Sequence, residues 1–225
     1  NNLANVNTAG YKKDVALAGE FGEVLIQRVN DGGSPVPIGS IGTGVQIDNI
    51  VVNQAAGPVK FTGSDLDMAI EGQGFFTVRT PAGIRDTRNG TFSKNGRGEL
   101  VAGDGFPVMG QNGPVRITGA KLTVDEQGRV LQDGIQTDRL QIVSFSDERQ
   151  LVKEGATLFN NAGGAAVRPA AGQVRQGYLE QANVNILGEM VNLINGYRSY
   201  EINGKAVKAN DGVLDKAVNE VGKLS

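Results

Sequence analysis

The residues best placed to do chemistry are a pair of carboxylates. Asp65 and Asp67 stand two apart in the run Asp65-Leu66-Asp67-Met68-Ala69-Ile70. On a strand that spacing puts both on one face, the arrangement that general acid–base or glycosidic chemistry would use. The same alternation puts Leu66, Met68 and Ile70 on the opposite face, so the plainer expectation is a strand with one buried side and a solvated row of Asp65, Asp67 and Glu71. Asp125, Glu126 and Asp133 offer hard-metal oxygens, but their spacing is not that of a Ca²⁺ loop, and a turn accounts for them. Gly39-Ser40-Ile41-Gly42-Thr43-Gly44 precedes a strand instead of opening a helix, as a phosphate cradle would. Asn89-Gly90-Thr91 fits the glycosylation pattern, yet Asn-Gly is first of all a tight turn.

Two absences narrow the chemistry further. The chain has no His and no Cys, which removes the Ser-His-Asp triad, the imidazole proton shuttle, the thiol nucleophile and the thiolate zinc site. No catalytic, cofactor or metal site is expected. A net charge of −2 argues against a nucleic-acid binder, and the lack of Trp with 5% aromatics leaves little with which to stack sugars or bases. No apolar run reaches the ~20 residues that span a bilayer, so membrane insertion is not expected. The chain begins at Asn1 and not at Met, so further residues are expected before it.

These residues sit on short elements separated by glycine. The run Val45–Val52 alternates and then turns apolar, as a half-buried strand does. After the Gly72-Gln73-Gly74 break, the alternation expects Phe76 and Val78 in the core and Phe75 on the other face or at a subunit contact. Asn89-Gly90, Asn95-Gly96 and Asn112-Gly113 are turn dipeptides, Leu122–Leu131 reads as a hairpin about Asp125–Gly128, and Leu140–Phe145 is a further strand. Many short strands at this spacing predict a mainly β fold, a glycine-rich irregular sandwich or barrel-like body over residues 46–178. Residues 1–45 precede it, with 28–44, rich in Gly, Pro and Ser, as an extended connection; 160–176 reads as a surface loop.

Residues 179–225 read differently. Asn185 is a good N-cap and Glu189 suits the positive end of a helix. A three-four spacing then runs through Ile186, Met190, Leu193, Tyr197, Tyr200, Gly204, Val207, Asp211, Leu214, Val218 and Val221, widened at the start by Leu187, Val191 and Ile194. That is the seam of a coiled coil, on a helix about 55 Å long at ~1.5 Å per residue. Gly188, Gly196, Gly204 and Gly212 each cost such a helix about 1 kcal/mol against Ala. The helix is therefore expected to order fully only on assembly, and residues 1–28 to be as loosely held in the isolated chain.

Four stretches together carry a family resemblance. Asn1-Asn2-Leu3-Ala4-Asn5-Val6-Asn7-Thr8-Ala9-Gly10-Tyr11-Lys12-Lys13 resembles the N-terminal signature of the bacterial flagellar rod and hook proteins. Glu71–Val78 is similar to the family's central motif, Thr87–Phe92 to the strand pair after it, and Gly177–Asn185 with Glu189–Ile194 to its C-terminal entry. The order matches the family's, and the single modest body is most similar to a rod subunit, distal or proximal. The resemblance implies terminal helices packed in an inner tube, a β-rich outer wall, transit through the flagellar export apparatus without a cleaved signal, and residence in the basal body outside the cytoplasmic membrane. The implied partners are further copies and neighbouring rod or hook proteins. Leu3 and Val6 then join Ile186, Met190, Leu193, Ile194, Tyr197, Tyr200, Val207, Leu214 and Val218 as the expected assembly interface. Two readings of other classes compete: a soluble ligand- or glycan-binding β-domain on a helical oligomerisation stalk, and a glycosidase using Asp65 and Asp67.

Overall fold

The computed structural model describes residues 1–20, 22, 24–28, 36–41 and 44–221. The fold is mainly β, in irregular sheets that do not close into a barrel, followed by one long C-terminal helix. The largest sheet has six antiparallel strands in the order Val152–Glu154, Leu158–Asn160, Gly83–Thr87, Phe75–Thr80, Ile142–Phe145 and Val167–Pro169.

The period of two that separates Phe75 from Phe76 decides where the cores lie. Phe76 and Val78 join Met68, Ile70, Phe92, Leu100, Val115 and Val130 in the main core. Phe75 points through the other face into a smaller cluster with Phe145, Leu151, Phe159 and Ala165. Both rings are fully buried, so Phe75 is a core residue and not a subunit contact. Its ring meets Phe145 and Phe159 edge-on, at centroid distances of 5.7 and 5.5 Å, the geometry that aromatic quadrupoles favour.

Three expectations need correction. Asp65 lies in a turn and Asp67 makes only an isolated bridge with Thr91, because the strand starts at Met68, where Met68, Ala69 and Ile70 are all buried. No shared strand face brings the two carboxylates together. The 160–176 stretch is not one loop: Val167–Pro169 adds an edge strand to the large sheet, and Gln173–Gln176 pairs with Met68–Glu71, burying Val174. Nor is 28–44 an extended connection. Asp14–Glu20 pairs antiparallel with Val45–Val52, and Val24–Arg28 with Val36–Ile41, making a two-stranded ribbon. Val24, Ile26, Val36, Ile38 and Ile41 supply β-branched residues, and Pro37 is tolerated beside the bulge at Ile26/Gln27. Residues 29–35 of that stretch, and Gly42 and Thr43 of the glycine run, lie outside the described residues.

The turn readings at Asn95-Gly96, Asn112-Gly113 and Asp125–Gly128 agree with the structure, whereas Asn89-Gly90 makes no backbone turn, Asn89 Oδ1 instead accepting from Thr91 N–H at 3.0 Å. Leu122–Val124 and Arg129–Gln132 form the hairpin, with the Asp125 carboxylate accepting from the backbone N–H groups of Gln127 and Arg129 at 3.1 and 2.8 Å. Asp133 likewise accepts from Lys121 N–H at 3.0 Å. These carboxylates are used up in closing turns.

One buried acid stands apart. Asp86 sits on the strand paired with both Phe75–Thr80 and Leu158–Asn160, opposite Thr77 and Phe159, and is 6% exposed. Burial pushes its pKa up to about 6, against the opposing pull of the Thr77 hydroxyl at 3.1 Å and of Arg85. The folded chain thus holds this proton more tightly than the unfolded one. The stabilisation is complete below the ordinary value of 3.8 and is lost as pH rises through about 6. A shift of that size corresponds to about 3 kcal/mol. Asp86→Asn is expected to raise stability at pH 7 by about that amount and to leave it unchanged near pH 4, read from denaturation curves at both values. A difference between the two proteins that is the same at every pH would contradict this account of Asp86.

Candidate assembly interface

The functional geometry starts with an ion pair that joins the two ends of the chain. Lys12 Nζ lies 2.7 Å from Glu180 Oε1, and the two side chains are 1% and 2% exposed. Buried charges are costly unless they are hydrogen-bonded, and here Lys12 and Glu180 are, while Arg88 Nε is left without a partner. Lys12 also donates to Ala55 O at 2.8 Å, Glu180 Oε1 accepts from Gly57 N–H at 2.9 Å, and Arg88 Nη1 lies 3.4 Å from Glu180 Oε2. Arg88 reaches on to the carbonyls of Ile70 and Gly72, at 3.3 and 2.9 Å, and stacks on Phe75 at 5.1 Å. Burial pulls the Lys12 pKa down and the Glu180 carboxylate pulls it part of the way back.

Backbone fit closes the knot. Gly10 N–H donates to Glu180 O at 2.8 Å with φ at +67°, and a Cβ there would run into the backbone of Arg88 and Asn89. Only glycine meets both demands. Asn183 Oδ1 accepts from Lys13 N–H at 2.7 Å while its Nδ2 donates to Asn53 O and Ala55 O, each at 2.8 Å. Lys153 Nζ sits 3.7 Å above the Tyr11 ring and donates to Lys12 O at 2.7 Å and Asp14 Oδ1 at 2.8 Å. Burial, then the neighbouring Asp14 carboxylate, raises the pKa of the Tyr11 phenol. The N-terminal signature is therefore not loosely held. Tyr11 and Lys12 are among the most buried side chains in the molecule.

Leu3 and Val6 lie half-buried in the turns of residues 2–7. The other expected interface residues all fall on the helix, Ile186–Val221. Asn185 caps it as expected, its Oδ1 accepting from Gly188 N–H at 3.0 Å. Ile186, Met190, Leu193, Ile194, Tyr197, Tyr200, Val207, Leu214 and Val218 are between 43% and 78% exposed, so the described residues of one chain leave them largely uncovered. At 36 residues and ~1.5 Å per residue the helix runs about 54 Å. Among the described residues no helix is long and apolar enough to cross a membrane.

The comparisons with known proteins bear on the same segments. Residues 69–147 match the family described as "Flagellar hook protein FlgE/F/G D1 domain", and residues 175–220 the "Flagellar basal body rod FlgEFG protein C-terminal". The chain belongs to the flagellar rod and hook basal-body protein family. It is 34% identical, over its whole length and 91% of the relative's, to a Caulobacter vibrioides protein named flagellar basal-body rod protein FlgF. Identity is 36% over 94% of the chain and 87% of the relative for an Agrobacterium fabrum protein named flagellar basal-body rod protein FlgG. A Bacillus subtilis protein named flagellar hook-basal body complex protein FlhO is 32% identical over the whole chain and 92% of its own length.

Within this flagellar protein the four family-like stretches meet at one place. Lys12 comes from the first, Gly72 and Phe75 from the second, Arg88 from the third, and Glu180 and Asn183 from the fourth. Sequence reasoning read them as separate signatures and missed the charges that join them. The available signal was that Lys12, Arg88 and Glu180 are among the few charges inside motifs made mostly of apolar and small polar residues. Lys153 lies in no such stretch and gave no signal. Breaking a buried pair from one side costs about 3–5 kcal/mol. Glu180→Gln is therefore expected to lower the melting temperature of the purified chain by roughly 10 °C. The double variant Lys12→Met/Glu180→Leu is expected to lose clearly less than the two single variants together, since Lys12 is no longer stranded and only Arg88 is left without its carboxylate. Additive losses in the melting curves would show that the pair does not act as a unit.

Proposed function

We propose that this chain is a structural subunit of the flagellar rod in the basal body, and that it polymerises with copies of itself and with neighbouring rod or hook proteins through the seam of its C-terminal helix. The observation that carries this reading is the long row of exposed apolar side chains along the helix, against which the exposed apolar groups of the body, such as Ile84, Ile135 and Val152, are scattered around two closed cores. Surfaces of that kind mark sites of association. In this reading residues 179–225 form the assembly element and 46–178 the outer body, while residues 1–45 carry the N-terminal signature and most of the ribbon. The strand Val45–Val52 bridges the last two parts, since it pairs with Asp14–Glu20. A shaft of such subunits would pass torque outward, and the subunit would reach it through the flagellar export apparatus.

The chain acts mechanically and not as an enzyme. Asp65 and Asp67 share no strand face, which removes the geometric ground for a glycosidase. The alternative of a glycan-binding domain on a stalk has no support from the relatives, which are named for the basal-body rod.

Leu193 is 61% exposed in the best-filled part of the seam. Burying one such side chain is worth roughly 1.5–3 kcal/mol, and a carboxylate in its place adds a desolvation cost of several more. Leu193→Asp is expected to weaken each lateral contact by about a hundredfold or more, so that cells carrying it build no rods and do not swim. The melting temperature of the body should move little. Lys208→Gln, on an exposed position of the same helix, is the control and should leave swimming intact. Normal rods in Leu193→Asp cells would remove the helix as the assembly interface, and unfolding of the body with it would make the helix part of the monomer's core.

A further inference from the structure

Across the described helix, every residue whose burial is given is exposed except one, Glu189. Its carboxylate lies 2.6 Å from Lys13 Nζ through Oε1 and accepts from Asn2 Nδ2 at 3.2 Å through Oε2. The pair is partly shielded, at 29% and 16% side-chain exposure for Lys13 and Glu189. The bond from Lys13, and then that from Asn2, holds the Glu189 carboxyl below the usual range. Asn2 is itself fixed. Its Oδ1 accepts from Asp14 N–H at 2.9 Å and from the Tyr11 hydroxyl at 3.1 Å, and its Nδ2 also donates to Asp14 O at 2.8 Å. Lys13 is fixed through its backbone N–H on Asn183. A charge on the first turn of the helix is thus gripped by two residues rooted in the buried knot.

We infer that the Lys13–Glu189–Asn2 clamp is the positioning device that sets the direction in which the helix leaves the β-body. Beyond its first turn the helix has no other side chain held by the body among the described residues, so its direction depends on this contact and on the short link through Asn183 and Asn185. A 36-residue helix is a lever roughly 54 Å long, so a swing of about 10° at its root moves its far end by roughly 9 Å. Resting on the rod reading given above, the same clamp would fix the angle between inner helices and outer wall in every subunit of the shaft. Glu189 is then a positioning residue, not merely a favourable charge at a helix start.

The absence of Cys from the chain makes the test direct. Spin labels at Ser93→Cys on the body and Lys208→Cys on the helix, both exposed positions, report the body-to-helix distance distribution by pulsed electron resonance in the purified full chain. The unaltered clamp should give a distribution narrower than that of either Gln variant, whatever width the unassembled helix adds to all of them. Glu189→Gln and Lys13→Gln should each broaden it by several ångströms, on the scale of that lever swing, and Lys13→Arg should restore it. Lys13→Gln is the decisive variant, because it leaves the helix sequence untouched and so does not alter its dipole or helix content. Distributions in both Gln variants as narrow as in the parent would overturn the clamp. So would broadening by Glu189→Gln alone, which would mark a helix-start effect. This measurement needs no polymer, so its failure is separate from that of the rod reading, which fails on normal rods in Leu193→Asp cells.

Discussion

The ion pair between Lys12 and Glu180 is the contact on which the rest of this structure depends. It joins residues 168 apart in sequence, and nearly everything that gives the molecule its working shape is anchored to one of its two ends. From Lys12 the chain runs directly into the ribbon at Asp14; from Glu180 it runs through Asn183 into the helix. A hydrophobic contact could have joined the same two segments, but not with the same register. The Glu180 carboxylate must meet Lys12, Arg88 and Gly57 N–H at once, and a shift of either segment would strand a charge in the interior.

That arrangement separates two kinds of stability in one chain. The β-body completes its cores internally, around Phe76 on one side of the large sheet and Phe75 on the other. The helix completes nothing internally. On the assembly reading proposed above, its glycines and exposed apolar side chains suit it to a place among neighbours more than to standing alone. A subunit of that kind would fold its wall before assembly and leave its helix surface free, with the proposed clamp pointing that surface in one direction.

Much of this was legible in the sequence where the deciding interaction is local. The alternation around Phe75 and Phe76, the hairpin about Asp125–Gly128 and the Asn185 cap all follow from periodicity or turn chemistry within a few residues. Misreadings arose where long-range pairing decides. Nothing near Asp65 says that the strand waits until Met68, since that start is set by pairing with Gln173–Gln176. The glycines and prolines of residues 28–44 hide strands that exist only as halves of a ribbon. The pairing within the knot was hidden for the same reason: charges inside the family-like stretches could be noticed, but nothing local says that Lys12 and Glu180 meet until the fold brings them together. Glu189 read as a helix-dipole residue, which it is, while its grip on Asn2 lies across 187 residues of sequence and that on Lys13 nearly as far.

Amide hydrogen exchange on the purified full chain, verified as monomeric by sedimentation, tests the division between a knotted body and a free helix most directly. Protection is expected to be greatest, and to be lost together, at Gly10–Lys12, Met68–Ile70, Phe75–Val78 and Tyr178–Glu180, because one buried network holds them. The amides of the helix beyond its first turn should exchange far faster. A helix as protected as the strands in the monomer would contradict the account, as would fast exchange at Gly10–Lys12 beside slow exchange in the sheets.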